Sequence, residues 1–189
     1  GLFHWYADPA FAKSDFRAAA RRVQAEIAPD ETVLLVPGHT FPVWQFYFGP
    51  TGWHALPDDP ILDVRHVLHY RDVAPRLNAI LAESGGVWLV EWEPWVADPT
   101  DIVVALLEQI GDEQPIASSP HGIRLRHYRL NRERLPLPTE PAVTATTEGA
   151  TLDLPLLLRG CALPLSLPGD SLLVTDCYWQ SMDNLPLHL

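Results

Sequence analysis

The sequence predicts an α/β fold, with helices on both faces of a mainly parallel sheet and a small β module behind it. Three observations carry this. From residue 10 to residue 130, short apolar runs alternate with segments of helical period. Two of those runs, ETVLLVP and VWLV, are apolar continuously rather than alternately, as strands covered on both faces are. After Leu130 the helical period is gone, and from Thr151 the texture is that of short strands and turns.

The elements follow in order. SDFRAAARRVQAEI is a helix: Ser14 suits an N-cap, Asp15 lies near the positive end of the dipole, and Phe16, Ala20, Val23 and Ile27 share a face. Pro29-Asp30 ends it, and Thr32 to Val36 form the first strand. GHTFPVWQFYFG is a loop and a short aromatic helix, capped by Thr40 with Pro42 in its first turn. TGWHALPDDP reads as loop, and a second strand is expected near Val64 to Leu68. RDVAPRLNAILAES is helical, with Val73, Leu77, Ile80 and Leu81 on one face and Gly85-Gly86 closing it. The third strand runs from Val87 to Glu91. DPTDIVVALLEQIG is a helix capped near Asp98, with Pro99 at its first position and Gly111 just past its end. PIASS and GIRLRHYRL are strands. The second sets Ile123, Leu125 and His127 against Arg124, Arg126 and Tyr128, as a half-exposed edge strand does. This order makes residues 10–130 a three-layer, Rossmann-like domain.

Residues 131–150, rich in proline, threonine and glutamate, form a linker crossing the domain surface. Residues 151–189 supply about three or four strands, too few for a self-sufficient sandwich. Cys161 and Cys177 are symmetric about Gly169 in the turn SLPGDS, so a regular hairpin sets them opposite each other. In an oxidising compartment such a pair can bridge; in a reducing one it is two small apolar residues. Leu172 and Val174 share one strand face while Cys177 and Trp179 share the other. A β-bulge near Thr175-Asp176 would reconcile them, and would shift the cysteine register. The chain stops at His188-Leu189, on the way into a further strand, so the module is expected to be truncated and the chain to be a piece of a larger protein.

With 24 acidic against 13 basic residues, the net charge of -11 argues against nucleic acid or an anionic membrane as partner. No run of about 18 apolar residues is present to span a membrane. The stretch GLFHWYADPAFAKSDF lacks the basic end and long apolar core of a signal peptide. GxGxxG, the P-loop, GxSxG, HExxH and CxxC are all missing, so no cofactor and no catalytic residue is assigned. The eight histidines do not cluster at metal-ligand spacing, and His66 and His69 fall on opposite faces of the expected second strand.

Ligands of open α/β sheets favour the crevice beyond the carboxyl ends of the strands. There the sequence places His39, Thr40 and Trp44 after the first strand, and Glu91, Trp92, Glu93 and Trp95 after the third, with Trp53 and His54 in the loop between. Indole faces beside carboxylates and imidazoles suit a sugar, whose CH face stacks while its hydroxyls find polar partners. The alternative is that these aromatics are core and the glutamates solvated. Glu91 and Glu93 share a face if the strand continues, but glycosidase carboxylates ordinarily approach the substrate from separate elements.

YADPAFAKSDFRAAARRVQAEIAPDETVLLVPG, followed by FPVWQFYFG, resembles the soluble C-terminal region of bacterial polytopic glycosyltransferases of the GT-C, protein-O-mannosyltransferase-like class, glycosyltransferase family 39. LPGDSLLVTDCYWQ resembles a strand of the β module that follows in such chains, with Pro168, Gly169, Asp170, Trp179, Gln180, His188 and Leu189 on its pattern. One extra residue between Val174 and Trp179 again asks for a bulge. The resemblance implies an extracytoplasmic domain attached to the membrane-embedded part of the same chain, which would hold the catalytic acid and the polyprenyl-phosphate sugar site. This domain's role would then be support, or recognition of a glycan or protein acceptor. The rival expectation is a soluble carbohydrate-binding or carbohydrate-active protein using the strand-end aromatics directly.

Overall fold

The computed structural model describes residues 13–138 with their side chains, and the backbone of Leu156–Cys161 and Cys177–Ser181. In chain order the elements are α1 (Phe16–Glu26), β1 (Glu31–Val36), α2 (Phe41–Phe48), β2 (Trp53–Ala55), α3 (Tyr70–Leu81), β3 (Gly86–Glu91), α4 (Ile102–Ile110), β4 (Gly111–Gln114), β5 (Arg124–Leu130), β6 (Leu156–Cys161) and β7 (Cys177–Ser181). Strands β1 to β5 form one sheet in the order β2-β1-β3-β5-β4.

The fold is α/β, but the sheet is mixed rather than mainly parallel. β1 pairs parallel with β2 and β3, whereas β5 runs antiparallel to both β3 and β4. Parallel neighbours need a crossover, and α2 and α3 supply it. Between β4 and β5 there is no room for one, and the chain turns back through Pro120-His121-Gly122, where Gly122 takes φ 68.

The two faces are covered by different helices. Val33 and Leu35 of β1, Trp88 and Val90 of β3, and Leu125 of β5 pack with Phe16, Ala19, Ala20 and Val23 of α1 and Trp44 of α2. Leu34, Val36, Val87, Leu89 and Tyr128 pack on the other face with Val73, Leu77 and Leu81 of α3 and Leu106, Leu107 and Ile110 of α4. Successive strand residues point to opposite faces, so both cores read out of one apolar run. Each fully buried side chain of this kind stabilises the fold by about 1.5–3 kcal/mol.

Two expected strands are displaced. Residues 64–68 are loop: Asp63 accepts from the backbone and guanidinium of Arg65, Val64 is exposed, and only Leu68 of the stretch is buried. The second strand is instead Trp53–Ala55, where Val33 and Leu35 align with Trp53 and Ala55. The strand expected at PIASS lies earlier, at Gly111–Gln114, continuous with α4 and paired to Leu130 through His127. β5 is therefore not an edge strand, and both of its faces are used.

Residues 131–138, the first part of the expected linker, are pinned to α3. Asn78 donates to the Leu137 carbonyl and accepts from its N–H, and Tyr70 donates to the Pro138 carbonyl. β6 and β7 form a separate antiparallel pair in which Cys161 faces Cys177 in register. The register irregularity falls between Leu158 and Gly160, on β6. Thr175-Asp176, where the bulge was expected, lies outside the described residues, as do the cysteine side chains.

Candidate functional site: a cleft where β3 ends and β5 begins

The parallel half of the sheet, β2-β1-β3, changes winding direction between β1 and β3, the place where such sheets open a crevice. Here that crevice is filled. The Trp92 N–H donates to the Val36 carbonyl, its indole meets His39 edge-on at 5.7 Å and tilts against Phe16, and its Nε1 donates to Ser14 Oγ. Ser14 thus does not cap α1. Asp15 does, accepting from the Ala18 N–H. Burial pushes the His39 imidazole down from its ordinary pKa, favouring its neutral form.

The open space lies one strand over. A cleft of ≈ 560 Å³ is lined by Glu91, Trp92, Glu93, Trp95, Asp98 and Asp101 on one stretch of chain, by Ser119, Ile123 and Arg124 on another, and by Ser14 on a third. It exists because β5 is antiparallel: its first residue, Arg124, stands opposite the last residue of β3, Glu91. Arg124 clasps Glu91 with two parallel bonds, Nε to Oε2 and Nη2 to Oε1, both 2.7 Å. Arg126 adds a longer contact at 3.3 Å, and Arg124 reaches Asp101 at 3.4 Å. Such forked pairing suits a carboxylate that is only 2% exposed.

The helix beyond the cleft is held by Asp98. It sits four residues ahead of Ile102, yet its two oxygens accept from the Ile102 and Val103 N–H groups at 2.7 and 2.9 Å. The side chain is buried. Burial, with the nearby carboxylates of Asp101 and Glu91, pushes its pKa up from 3.8 to about 6, against the pull of the two backbone bonds. Glu93 and Asp101 both take left-handed backbone, φ 46 and φ 51, and they are the only non-glycine residues to do so among the described residues. For Glu93 this costs about 1–2 kcal/mol relative to ordinary helical backbone, whereas an aspartate such as Asp101 tolerates it more readily.

Of the expected strand-end residues, the cleft collects Glu91, Trp92, Glu93 and Trp95. His39 touches its edge through Trp92. Trp44 does not belong to it: the residue is fully buried under the sheet and stacks on Phe48. Trp53 is a strand residue that stacks on Phe41 and donates to the Gly49 carbonyl, and His54 is exposed beside it on the far edge of the sheet. Glu91 and Glu93 do not make an acid–base pair, because both oxygens of Glu91 are taken by Arg124 and Glu93 has left the strand direction. Sequence reasoning missed Arg124, Asp98 and Asp101 as lining residues. The available signal was a lone glutamate closing an apolar strand, which needs a cation, and the paired arginines of RLRHYRL that could supply it.

No protein-family model, curated protein or solved structure matches the chain. The likeness to the glycosyltransferase region therefore stands on the quoted residues alone.

Proposed function

We propose that this chain is an extracytoplasmic, non-catalytic domain of a membrane glycosyltransferase that uses a polyprenyl-phosphate sugar donor, and that its cleft receives a glycan acceptor. The Rossmann-like half, β1 to β3, is the platform and the β5 return strand completes the site. The cleft carries this reading: Trp95 is 64% exposed on its rim, Trp92 lines it, and carboxylates stand beside both. That is the combination a sugar needs, a flat apolar face next to hydroxyl acceptors. The Glu91 carboxylate is fully engaged by Arg124, which suits a binding surface better than proton transfer.

Titrating the protein with a panel of oligosaccharides while following tryptophan fluorescence tests the cleft. Affinity for at least one is expected, lowered about tenfold by Trp95→Ala. Affinity that Trp95→Ala leaves intact places binding elsewhere and refutes the cleft. Hydrolysis abolished by Glu91→Gln would replace the binding role with an enzyme. Membrane attachment is checked on the coding sequence upstream of Gly1: apolar spans support it, and a soluble domain there overturns it in favour of a soluble carbohydrate-binding protein.

A further inference from the structure

We propose that the face shared by α1 and α2 seats the domain on an anionic lipid bilayer. This rests on the membrane attachment proposed above and says which face meets the membrane. The net charge of -11 is unevenly distributed. From Phe16 to Ala25, and again from Gly38 to Pro57, the chain carries no carboxylate. Those stretches hold most of α1 and all of α2. The two helices pack on the same face of the sheet and meet along one seam. Arg17, Arg21 and Gln24 stand at i, i+4 and i+7 on α1, on one side of the helix. The Arg17 guanidinium lies over the Tyr47 ring at 5.4 Å, and Gln24 donates to the Tyr47 and Phe48 carbonyls. Arg21, between them, is exposed and has no hydrogen-bond or ion-pair partner among the described residues.

Beside this cationic row stands the most exposed large apolar side chain of the described residues. Phe46 is 79% exposed and meets Tyr47 edge-on at 4.9 Å. Arginines flanking an exposed ring are what an interfacial helix presents: the ring enters the acyl boundary while the guanidinium groups stay at the lipid phosphates. Arg65, Arg76 and Arg124, by contrast, are paired with Asp63, Asp58 and Glu91. At about 0.1 M salt the Debye length is about 10 Å, so a bilayer feels the face laid against it while acids on the far side are screened. Two arginines and one ring attract a membrane only weakly. For a domain already tethered there, the raised effective concentration lets a weak contact set which way the domain lies.

The test is co-sedimentation of the chain with vesicles of phosphatidylcholine alone and of phosphatidylcholine mixed with phosphatidylglycerol, at about 0.1 M and about 0.5 M salt. Binding to the mixed vesicles should be about tenfold stronger than to phosphatidylcholine at the lower salt, and that preference should vanish at the higher. Arg17→Gln combined with Arg21→Gln should weaken binding to the mixed vesicles about tenfold. Phe46→Ser should weaken binding to both kinds about fivefold, since the ring does not read charge. Arg65→Gln combined with Arg76→Gln removes the same charge from arginines already paired with acids, and should leave binding intact. No preference for the mixed vesicles, equal loss in both double variants, or binding that the Arg17, Arg21 and Phe46 variants leave unchanged overturns this contact and leaves membrane attachment standing. So does self-association abolished by the Arg17 and Arg21 double variant, which would give the face to a second copy of the chain. A soluble domain encoded upstream of Gly1 overturns both.

Discussion

Asp98 is a buried acid that should make the protein less stable as pH rises, the reverse of an ordinary ion-paired carboxylate. Its pKa is about 6 in the folded protein against an ordinary 3.8. The folded state thus holds the proton more tightly than the unfolded state. Stability from this group is fully present below 3.8 and lost as pH passes 6. The whole window is worth about 3 kcal/mol, at about 1.4 kcal/mol per pH unit. Going from near pH 5 to near pH 7.5 should remove about 1.4 kcal/mol of it. Asp98→Asn isolates the effect: one oxygen still accepts from the end of α4, but no charge is buried. Urea unfolding of both proteins, followed by tryptophan fluorescence at several pH values, gives the difference in stability, in which the other titrating groups cancel. The variant should gain on the parent by that amount across the interval. A flat difference, or one that favours the parent as pH rises, refutes the argument that burial outweighs the two backbone bonds.

Two further predictions concern the frame around the cleft. Glu31, at the opposite end of the sheet, accepts from the Ala28 N–H, Trp88 Nε1 and Arg129, and pairs with His127. Burial alone would raise its pKa, but the bonds from Ala28, His127 and Trp88 hold it below the ordinary 4.5. Its contribution is therefore present above 4.5 and lost as pH falls through the lowered folded value. Glu31→Gln should cost about 2 kcal/mol near neutral pH and progressively less in acid, measured by the same urea series. Gly38→Ala should destabilise by about 1–3 kcal/mol, read as a lowered melting temperature. An added Cβ would stand 1.9 Å from the Pro57 carbonyl oxygen, a backbone atom with little freedom to retreat. An unchanged melt would refute that close approach.

What could be read from the sequence follows from what local pattern encodes. β1 and β3 are buried on both faces and announce themselves as unbroken apolar runs, and α1, α3 and α4 carry a clear helical period. α2 was readable as a helix but not in its orientation. In FPVWQFYF nearly every position is apolar, so nothing marks Trp44 as buried and Phe46 as exposed. β2 is only three residues long and is a strand because β1 lies beside it. GDEQ is a strand for the same reason, through β5, despite a composition that favours turns. The site was readable where the strand-end rule reaches, at Glu91, Trp92, Glu93 and Trp95. It was hidden where it depends on the direction of β5, since only an antiparallel return brings Arg124 to Glu91.

The polar strand β4 has a bearing on how this molecule can meet others. A sheet with open sides invites a foreign strand to dock along them by backbone pairing. One side here ends in the three residues of β2, too brief to template much, and the other presents Asp112 and Glu113, whose charges discourage a neighbour. Growth of the sheet sideways is therefore guarded at both margins. β6 and β7 make their own pair rather than lengthening the larger sheet, in keeping with those guarded margins.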